Sequence, residues 1–225
     1  MSRCEQCIVR ELSALKALSK EDLKVVSEKK SIQKMEKGEV LFKEGTQLNG
    51  LYCLKNGMVK ITKLGVNGKD HIVKLMSKGE IVGHRSIINN ESTNLNAIAM
   101  EESEMCFIPK SEVMNLLKNN SNFSIEMMKT ICTDLKIADD HLVDMALKTV
   151  KQRLAETLLY FQDKYGLDQE GYLKVSISRE ELAGLIGTAT ESCIRLLSEL
   201  KKNNLIDISS KKIKILNQLA LSKVH

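Results

Sequence analysis

Glu191 and Arg195 stand four positions apart and carry side chains suited to reading nucleic-acid bases. An arginine can donate to both O6 and N7 of a guanine, and a glutamate can accept from a cytosine amino group. On a helix the two lie one turn apart and would meet adjacent base pairs. By itself the spacing is equally that of a surface ion pair, so the surrounding chain has to decide. A second chemistry-bearing pair lies near the start, Cys4-Glu-Gln-Cys7. In a reducing compartment, clustered cysteines serve metal binding or thiol redox chemistry rather than a disulfide framework.

The elements around Glu191 and Arg195 favour DNA. Ser178 is a helix cap, Glu180 and Glu181 suit the positive end of the helix dipole, and Leu182, Leu185 and Ile186 share an apolar face. Gly187 stops that helix, and Gly187-Thr-Ala-Thr is a tight turn. A second helix follows, with Ile194, Leu197 and Leu200 or Lys201 expected inward and Thr190, Glu191 and Arg195 outward. Leu205-Ile-Asp-Ile and Ile213-Lys-Ile-Leu then form two short strands around a polar turn, the pattern of a wing. Lys211, Lys212 and Lys214 would lie along phosphates. The expected DNA-contacting set is Ser178, Arg179, Thr188, Thr190, Glu191, Ser192, Arg195, Lys211 and Lys212.

Charge agrees in direction. Of 34 Lys and Arg against 29 Asp and Glu, residues 148–225 hold 13 and 9, so most of the positive excess lies with the helix-turn-helix. No apolar run reaches membrane-spanning length and the polar start is no signal peptide, so a cytoplasmic protein with no membrane partner is expected. Six cysteines occur, at 4, 7, 53, 106, 132 and 193; the last two and Cys53 sit in apolar or helical patterns and read as small core residues. No phosphate loop, zinc-protease motif or nucleophile elbow is present, which argues against an enzyme.

The preceding chain is β-rich. Short runs begin at Val40, Leu51, Met58, His71, Glu80, Ala97 and Met105, with turns at Gly38, Gly45, Asn56-Gly57, Asn67-Gly68 and Gly79. That texture means a sandwich or jelly roll. Pro109 ends the last strand and a short helix starts at Lys110. A long helix follows from about Asn122 to Met145. Its Met128, Ile131, Leu135, Ala138, Leu142 and Met145 step alternately by three and four, an a/d seam that predicts pairing with a second copy. Ile125, Met127 and Ile137 predict one flank packed on the β domain. The reading is an α+β chain: a Cys-bearing segment 1–19, a β-roll sensor domain 20–118, a dimerisation helix 119–147 and a winged helix-turn-helix DNA-binding domain 148–225. A dimer axis beside such a reader places two recognition helices one DNA turn apart, on a near-palindromic site.

The whole chain resembles the Crp/Fnr family of bacterial transcription regulators, on Lys37-Gly-Glu-Val-Leu-Phe-Lys-Glu-Gly, Leu51-Tyr-Cys-Leu-Lys-Asn-Gly, Lys78-Gly-Glu-Ile-Val-Gly and Arg179-Glu-Glu-Leu-Ala through Arg195. The resemblance implies a cyclic-nucleotide-binding-type β-roll, a homodimer, base contacts from Glu191 and Arg195 to a TGA-containing half-site, and RNA polymerase as a partner. Nucleotide-responsive members carry a further base-reading Arg where this chain has Thr190. Their effector loop matches Gly83 to Ala97, a pocket of Gly83, His84, Arg85, Leu95 and Asn96 here. His84 replaces the ribose-binding Glu and Leu95-Asn96 the phosphate-binding Arg-Ser, while Arg85-Ser86 falls too early in the loop, which argues against cyclic AMP.

In the oxygen-responsive Fnr branch an N-terminal Cys-xx-Cys-xxxxx-Cys and a distant β-roll Cys hold a [4Fe–4S] cluster. Cys4, Cys7 and Cys106 match three of those positions; the fourth falls on Ser13. A cubane cluster ordinarily takes four thiolates, so the cofactor stays open. The readings are a three-Cys iron–sulfur cluster, a thiol switch pairing Cys4 or Cys7 with Cys106, or remnant cysteines in a regulator using another ligand or none. A haem on His71, His84 or a Cys is a further possibility. The function implied is a transcription regulator responding to a redox, oxygen or nitric-oxide signal, or else to an unidentified ligand, or to none.

Overall fold

The computed structural model describes residues 4–65 and 70–224, with the side chain of Glu5 excepted. The expected Asn67-Gly68 turn lies outside the described residues. Contacts divide the chain into Met1–Lys136 and Ile137–His225, a boundary that falls inside the long helix rather than at its ends.

The first unit opens with three 3-10 turns, Cys4–Gln6, Ile8–Leu12 and Ala14–Ala17. Helix α1 (Lys20–Lys29) follows. Ser19 caps it reciprocally: its Oγ accepts from the Asp22 N–H at 3.1 Å and its own N–H donates to Asp22 Oδ2 at 3.4 Å. Eight strands come next, β1 (Ser31–Met35), β2 (Val40–Phe42), β3 (Gly50–Asn56), β4 (Val59–Leu64), β5 (Asp70–Met76), β6 (Ile81–Val82), β7 (Asn96–Ala99) and β8 (Ser103–Pro109). They form two four-stranded sheets, β1-β8-β3-β6 and β2-β7-β4-β5, antiparallel throughout. β1 and the short helix α2 (His84–Asn89), inside what read as a loop, are additions to the sequence expectation. Gly57 turns β3 into β4 at φ +90°, where any Cβ would run into Ser103.

Alternation along the strands gives the first sheet two buried faces. Leu54 and Met105 point into the roll with Met35, Phe42, Val59, Ile61, Met76, Ala97 and Ala99. Leu51, Cys53, Cys106 and Ile108 point outward, into a second core completed by Leu23 and Val26 of α1 and by Cys4, Val9, Ala14, Leu15 and Leu18 of the N-terminal turns. Helix α3 (Lys110–Asn119) adds Val113 and Leu116, and the start of the long helix α4 (Ser121–Leu147) adds Phe123 and Met127. The Cys-bearing segment therefore shares one core with the base of the long helix.

The second unit runs from the later part of α4 through α5 (Val150–Tyr165), α6 (Arg179–Leu185), α7 (Thr190–Lys202), the hairpin β9 (Ile206–Ser209) with β10 (Lys212–Ile215), and α8 (Gln218–Leu221). Its core includes Leu154, Leu158, Phe161, Leu182, Ile186, Leu197, Leu200, Ile206 and Ile213. Among the described residues no helix is long and apolar enough to cross a membrane.

Candidate functional site

The reading head is local. Ser178 caps α6: its Oγ accepts from the Glu181 N–H at 3.1 Å, and its N–H donates to Glu181 Oε2 at 2.9 Å. Gly187, at φ +65°, turns the chain toward α7. Cys193, Leu197 and Leu200 form the buried stripe of α7, in steps of four and three. This corrects the expected phase: Ile194 is 46% exposed, and the small Cys193 takes the inward position instead. Nearly opposite that stripe stand Glu191 and Arg195, both exposed. Neither makes an ion pair or side-chain hydrogen bond with the other or with any other described residue, so the surface-pair alternative is not what the structure shows.

The flanking candidates divide. Thr188, Thr190 and Ser192 are half-buried around the turn. Arg179 Nη2 donates to the Ser210 carbonyl at 3.1 Å, tying the start of α6 to the wing turn. Lys212 Nζ lies 3.0 Å from Asp168 Oδ2 and 3.6 Å from Glu170 Oε2, and Lys214 Nζ donates to the Glu170 carbonyl at 2.9 Å. Lys211, at the tip, makes no such contact among the described residues and is the free cation of the wing. Arg153 braces the assembly from behind: Nε donates to the Ile186 carbonyl at 2.9 Å and Nη1 to the Lys148 carbonyl at 2.7 Å. The helix-turn-helix turn is thereby tied to the junction that follows α4.

The cysteine site is assembled. Cys4 and Cys7 come from the first turns and Cys106 from β8, and all three line one narrow cavity of about 20 Å³ with Val9, Leu15 and Ile108. Four further residues line it that sequence reasoning had not singled out for chemistry, Cys53 and the cations Arg10, Lys30 and Lys55. Cys53 lies directly across from Cys106 in the β3–β8 register, on the same outward face. Lys30 is 6% exposed, and its Nζ is buried with no hydrogen-bond partner. Burial pushes the Cys53 thiol up to about 12, neighbouring Cys106, Cys7 and Cys4 add to this, and Lys30 opposes it. Cys106 is likewise raised by burial and opposed by Lys30. Among the described residues no three His, Cys, Asp or Glu side chains could hold a single metal ion, so the sulfurs frame a space rather than a mononuclear site. Ser13 does not line the cavity. Its Oγ accepts from the Leu15 N–H at 3.2 Å and donates to the Arg10 carbonyl at 3.0 Å, capping the third turn.

Residues 32–120 match the family model of the cyclic nucleotide-binding domain, and residues 152–224 that of the Crp-like helix-turn-helix domain. The anaerobic regulatory protein of Bacillus subtilis is 31% identical over 179 residues, covering 78% of this chain and 75% of that protein. The chain belongs to the Crp/Fnr family. The fumarate and nitrate reduction regulatory protein of Escherichia coli K12 is 25% identical over 229 residues, covering 98% of this chain and 89% of its own. The structure of FixK2 from Bradyrhizobium japonicum superposes with a TM-score of 0.78 at 21% identity, covering 87% of this chain and 96% of that one. This Crp/Fnr protein is thus a transcription regulator with a helix-turn-helix DNA-binding domain.

Within the Crp/Fnr frame, the residues at the effector-loop positions other than Arg85 have internal partners or packing roles. Gly83 starts α2 at φ +92°. His84 is buried, with Nε2 at 3.3 Å from Asp134 Oδ2 on α4 but outside hydrogen-bonding geometry. Lys74 reaches the same carboxylate at 2.9 Å. Burial pushes Asp134 up, and the facing His84 and the Lys74 ammonium more than reverse this, holding it at about 2. Asn96 Oδ1 accepts from the Glu44 N–H at 2.8 Å, and its Nδ2 donates to Thr62 Oγ1 at 3.3 Å. Leu95 packs on the roll core, while Arg85 is exposed.

Along α4, Met128, Leu135 and Leu142 are 56, 61 and 71% exposed, and Ala138 is exposed with them; Ile131 is half-buried. Met145 departs from this pattern and packs against Gly187, where a Cβ would come within 2.8 Å of its Sδ. Of the flank expected on the β domain, Met127 is buried, whereas Ile125 and Ile137 are 45 and 49% exposed. The inward face of α4 is instead set by Phe123 and Met127, one turn apart and early in the helix.

Proposed function

We propose that this Crp/Fnr regulator is a homodimer that reads a palindromic TGA-containing site and responds to a redox, oxygen or nitric-oxide signal through Cys4, Cys7 and Cys106. The observation that carries the reading is that two N-terminal cysteines and one from β8, about a hundred residues away in sequence, line one cavity in the core that also holds Phe123 and Met127 of α4. Exposed Met128, Leu135 and Leu142 on α4 support self-pairing, since a monomer leaving such a row in water forfeits about 1.5–3 kcal/mol per large side chain. The proposed setting is the cytoplasm, with double-stranded DNA and RNA polymerase as partners.

The donor set fits an iron–sulfur group. Thiolates are its ligands, the lining combines the apolar Val9, Leu15 and Ile108 with the cations Arg10 and Lys55, and the buried Lys30 suits an anionic centre. When bound, a [4Fe–4S] cluster supplies an oxidant-labile centre. The chain's own residues do the rest. Cys4 and Cys7 hold the N-terminal turns against the sheet, and Lys16 ties those turns to α4 through Glu126 at 3.0 Å. A change in how the cysteines are held therefore biases the position of α4, and any effector acts only by its differential affinity for the two dimer states. Cyclic AMP does not suit the effector loop, where Asn96 is already engaged and Arg85 faces water.

Iron and acid-labile sulfide, with the visible spectrum, on chain purified without oxygen test the reading. Stoichiometric iron and sulfide, lost in Cys106→Ala and bleached by air, are expected. Colourless, iron-free protein that still binds its palindrome would overturn it.

A further inference from the structure

Four sulfurs, not three, surround the cavity. We propose that Cys53 is the fourth ligand of this site, completing with Cys4, Cys7 and Cys106 a four-thiolate [4Fe–4S] centre whose negative charge Lys30 partly offsets. The inference rests on the reading of the site as a cluster sensor and goes beyond it by naming the residue that stands in for the missing thiolate.

Side chains on a strand alternate between faces, so Leu51 and Cys53 share the outward face of β3 while Leu54 turns into the roll. In the antiparallel register Cys53 is paired with Cys106, and directly opposed residues place their side chains side by side on one face. Any segment that brings Cys4 and Cys7 to Cys106 therefore also brings them to Cys53. The position that the sequence pattern leaves to Ser13 is filled differently. The Ser13 hydroxyl both accepts from Leu15 and donates to Arg10 inside its own turn, and the residue is not part of the cavity wall.

Lys30 supplies an independent observation. An ammonium buried without a hydrogen-bond partner is costly, and such groups are retained where a counter-charge belongs beside them. Among the described residues the lining includes no Asp or Glu, and its acid-forming groups are the cysteines. Four thiolates around an iron–sulfur core with two positive charges leave a net charge of about −2, which a buried cation would offset.

Among the described residues these cysteines do not form a site for one metal ion. Ligands on a single tetrahedral metal with bonds of about 2.3 Å crowd to within about 4 Å of one another, while a cubane holds its thiolates farther apart. The cavity of about 20 Å³ admits one water-sized group, so loading requires the Cys4–Cys7 turn to stand outward from the sheet. That turn is held by the Cys4 N–H to Ser27 Oγ bond at 2.6 Å and the Cys7 N–H to Cys4 carbonyl bond at 3.1 Å. On loading, each thiol gives its proton to solvent as its sulfur bonds iron.

The test uses the full chain, purified without oxygen and reconstituted with ferrous and ferric iron in equal amounts and with sulfide, the mixture that balances a core of two positive charges, as wild type, Ser13→Ala, Cys53→Ala and Cys53→Ser. Iron and sulfide per chain, the visible spectrum, electron paramagnetic resonance and circular dichroism are read together; the serine variant keeps nearly the volume of cysteine and covers the case in which alanine does not fold. Wild type and Ser13→Ala are expected to hold about four irons, and both Cys53 variants to keep native dichroism but fall to half that or less, or to show a three-iron signal. Folded Cys53 variants with full iron and the wild-type spectrum would overturn the assignment of Cys53 while leaving the cluster reading in place. A wild type that takes up no iron would overturn the cluster reading itself, and this inference with it.

Discussion

The α7 reading face and the cysteine site differ in how far the chain must travel to build them. Glu191 and Arg195 come from successive turns of one helix, and their geometry is set by helical pitch and by a buried stripe of three residues behind them. The sulfurs come from the N-terminal turns, β3 and β8, meet only through tertiary packing, and share their core with Phe123 and Met127. A local site is stiff and modular, which suits a fixed reading task. An assembled site couples several elements, and under the proposed reading a change at its centre reaches α4 through the shared core.

Breaking the shared core should have the largest effect. Phe123→Ala is expected to cost about 3–5 kcal/mol of sensor-unit stability, read by urea unfolding, because its side chain is almost fully buried. Arg195→Ala should leave stability and iron content unchanged and remove about 1–3 kcal/mol of discrimination between the palindrome and a scrambled duplex, measured by fluorescence anisotropy. If iron uptake fell as well, the separation of the two sites would be wrong.

Asp134 gives a pH-dependent contrast. Its folded pKa, about 2, lies below the unfolded value of 3.8, so the stability it contributes is present above about pH 4 and lost as pH falls through 2. Asp134→Asn should therefore flatten the acid limb of the urea-stability profile by at most about 2 kcal/mol, after allowance for solvent screening, and leave the profile near neutrality parallel to wild type. The smallest effect is expected at the wing. Lys211→Ala should weaken all duplexes alike and lower the salt slope of log K by about 2, one contact from each protomer; Lys212→Ala should do less, because that ammonium already faces Asp168 and Glu170.

The same contrast explains what could be read from the chain. The capped helix, the Gly187 turn, the second helix and the wing are local patterns, and so are most of the strands and the long helix. The inward phase of α7 is not legible from residue type, because the small Cys193 is buried while the large, apolar Ile194 is 46% exposed. Met145 fitted the heptad step, yet Gly187, distant in sequence, takes it. Cys53 was hidden by its setting. In Leu51-Tyr-Cys-Leu it reads as an apolar strand residue, and only the register with β8 shows which face it shares with Cys106. Lys30, at the end of a lysine-rich helix, carries no sequence signal of burial. Such a role becomes visible only when the elements around it close.

The most direct test of the account is the affinity of the chain for a TGA-containing palindrome, measured by anisotropy without oxygen and again after exposure to air, in wild type and Cys106→Ala. The account predicts a change of at least about tenfold on oxidation in the wild type and none in the variant. Equal affinities in the two states of the wild type would contradict it, because the cysteine site would then have no hold on the reading head.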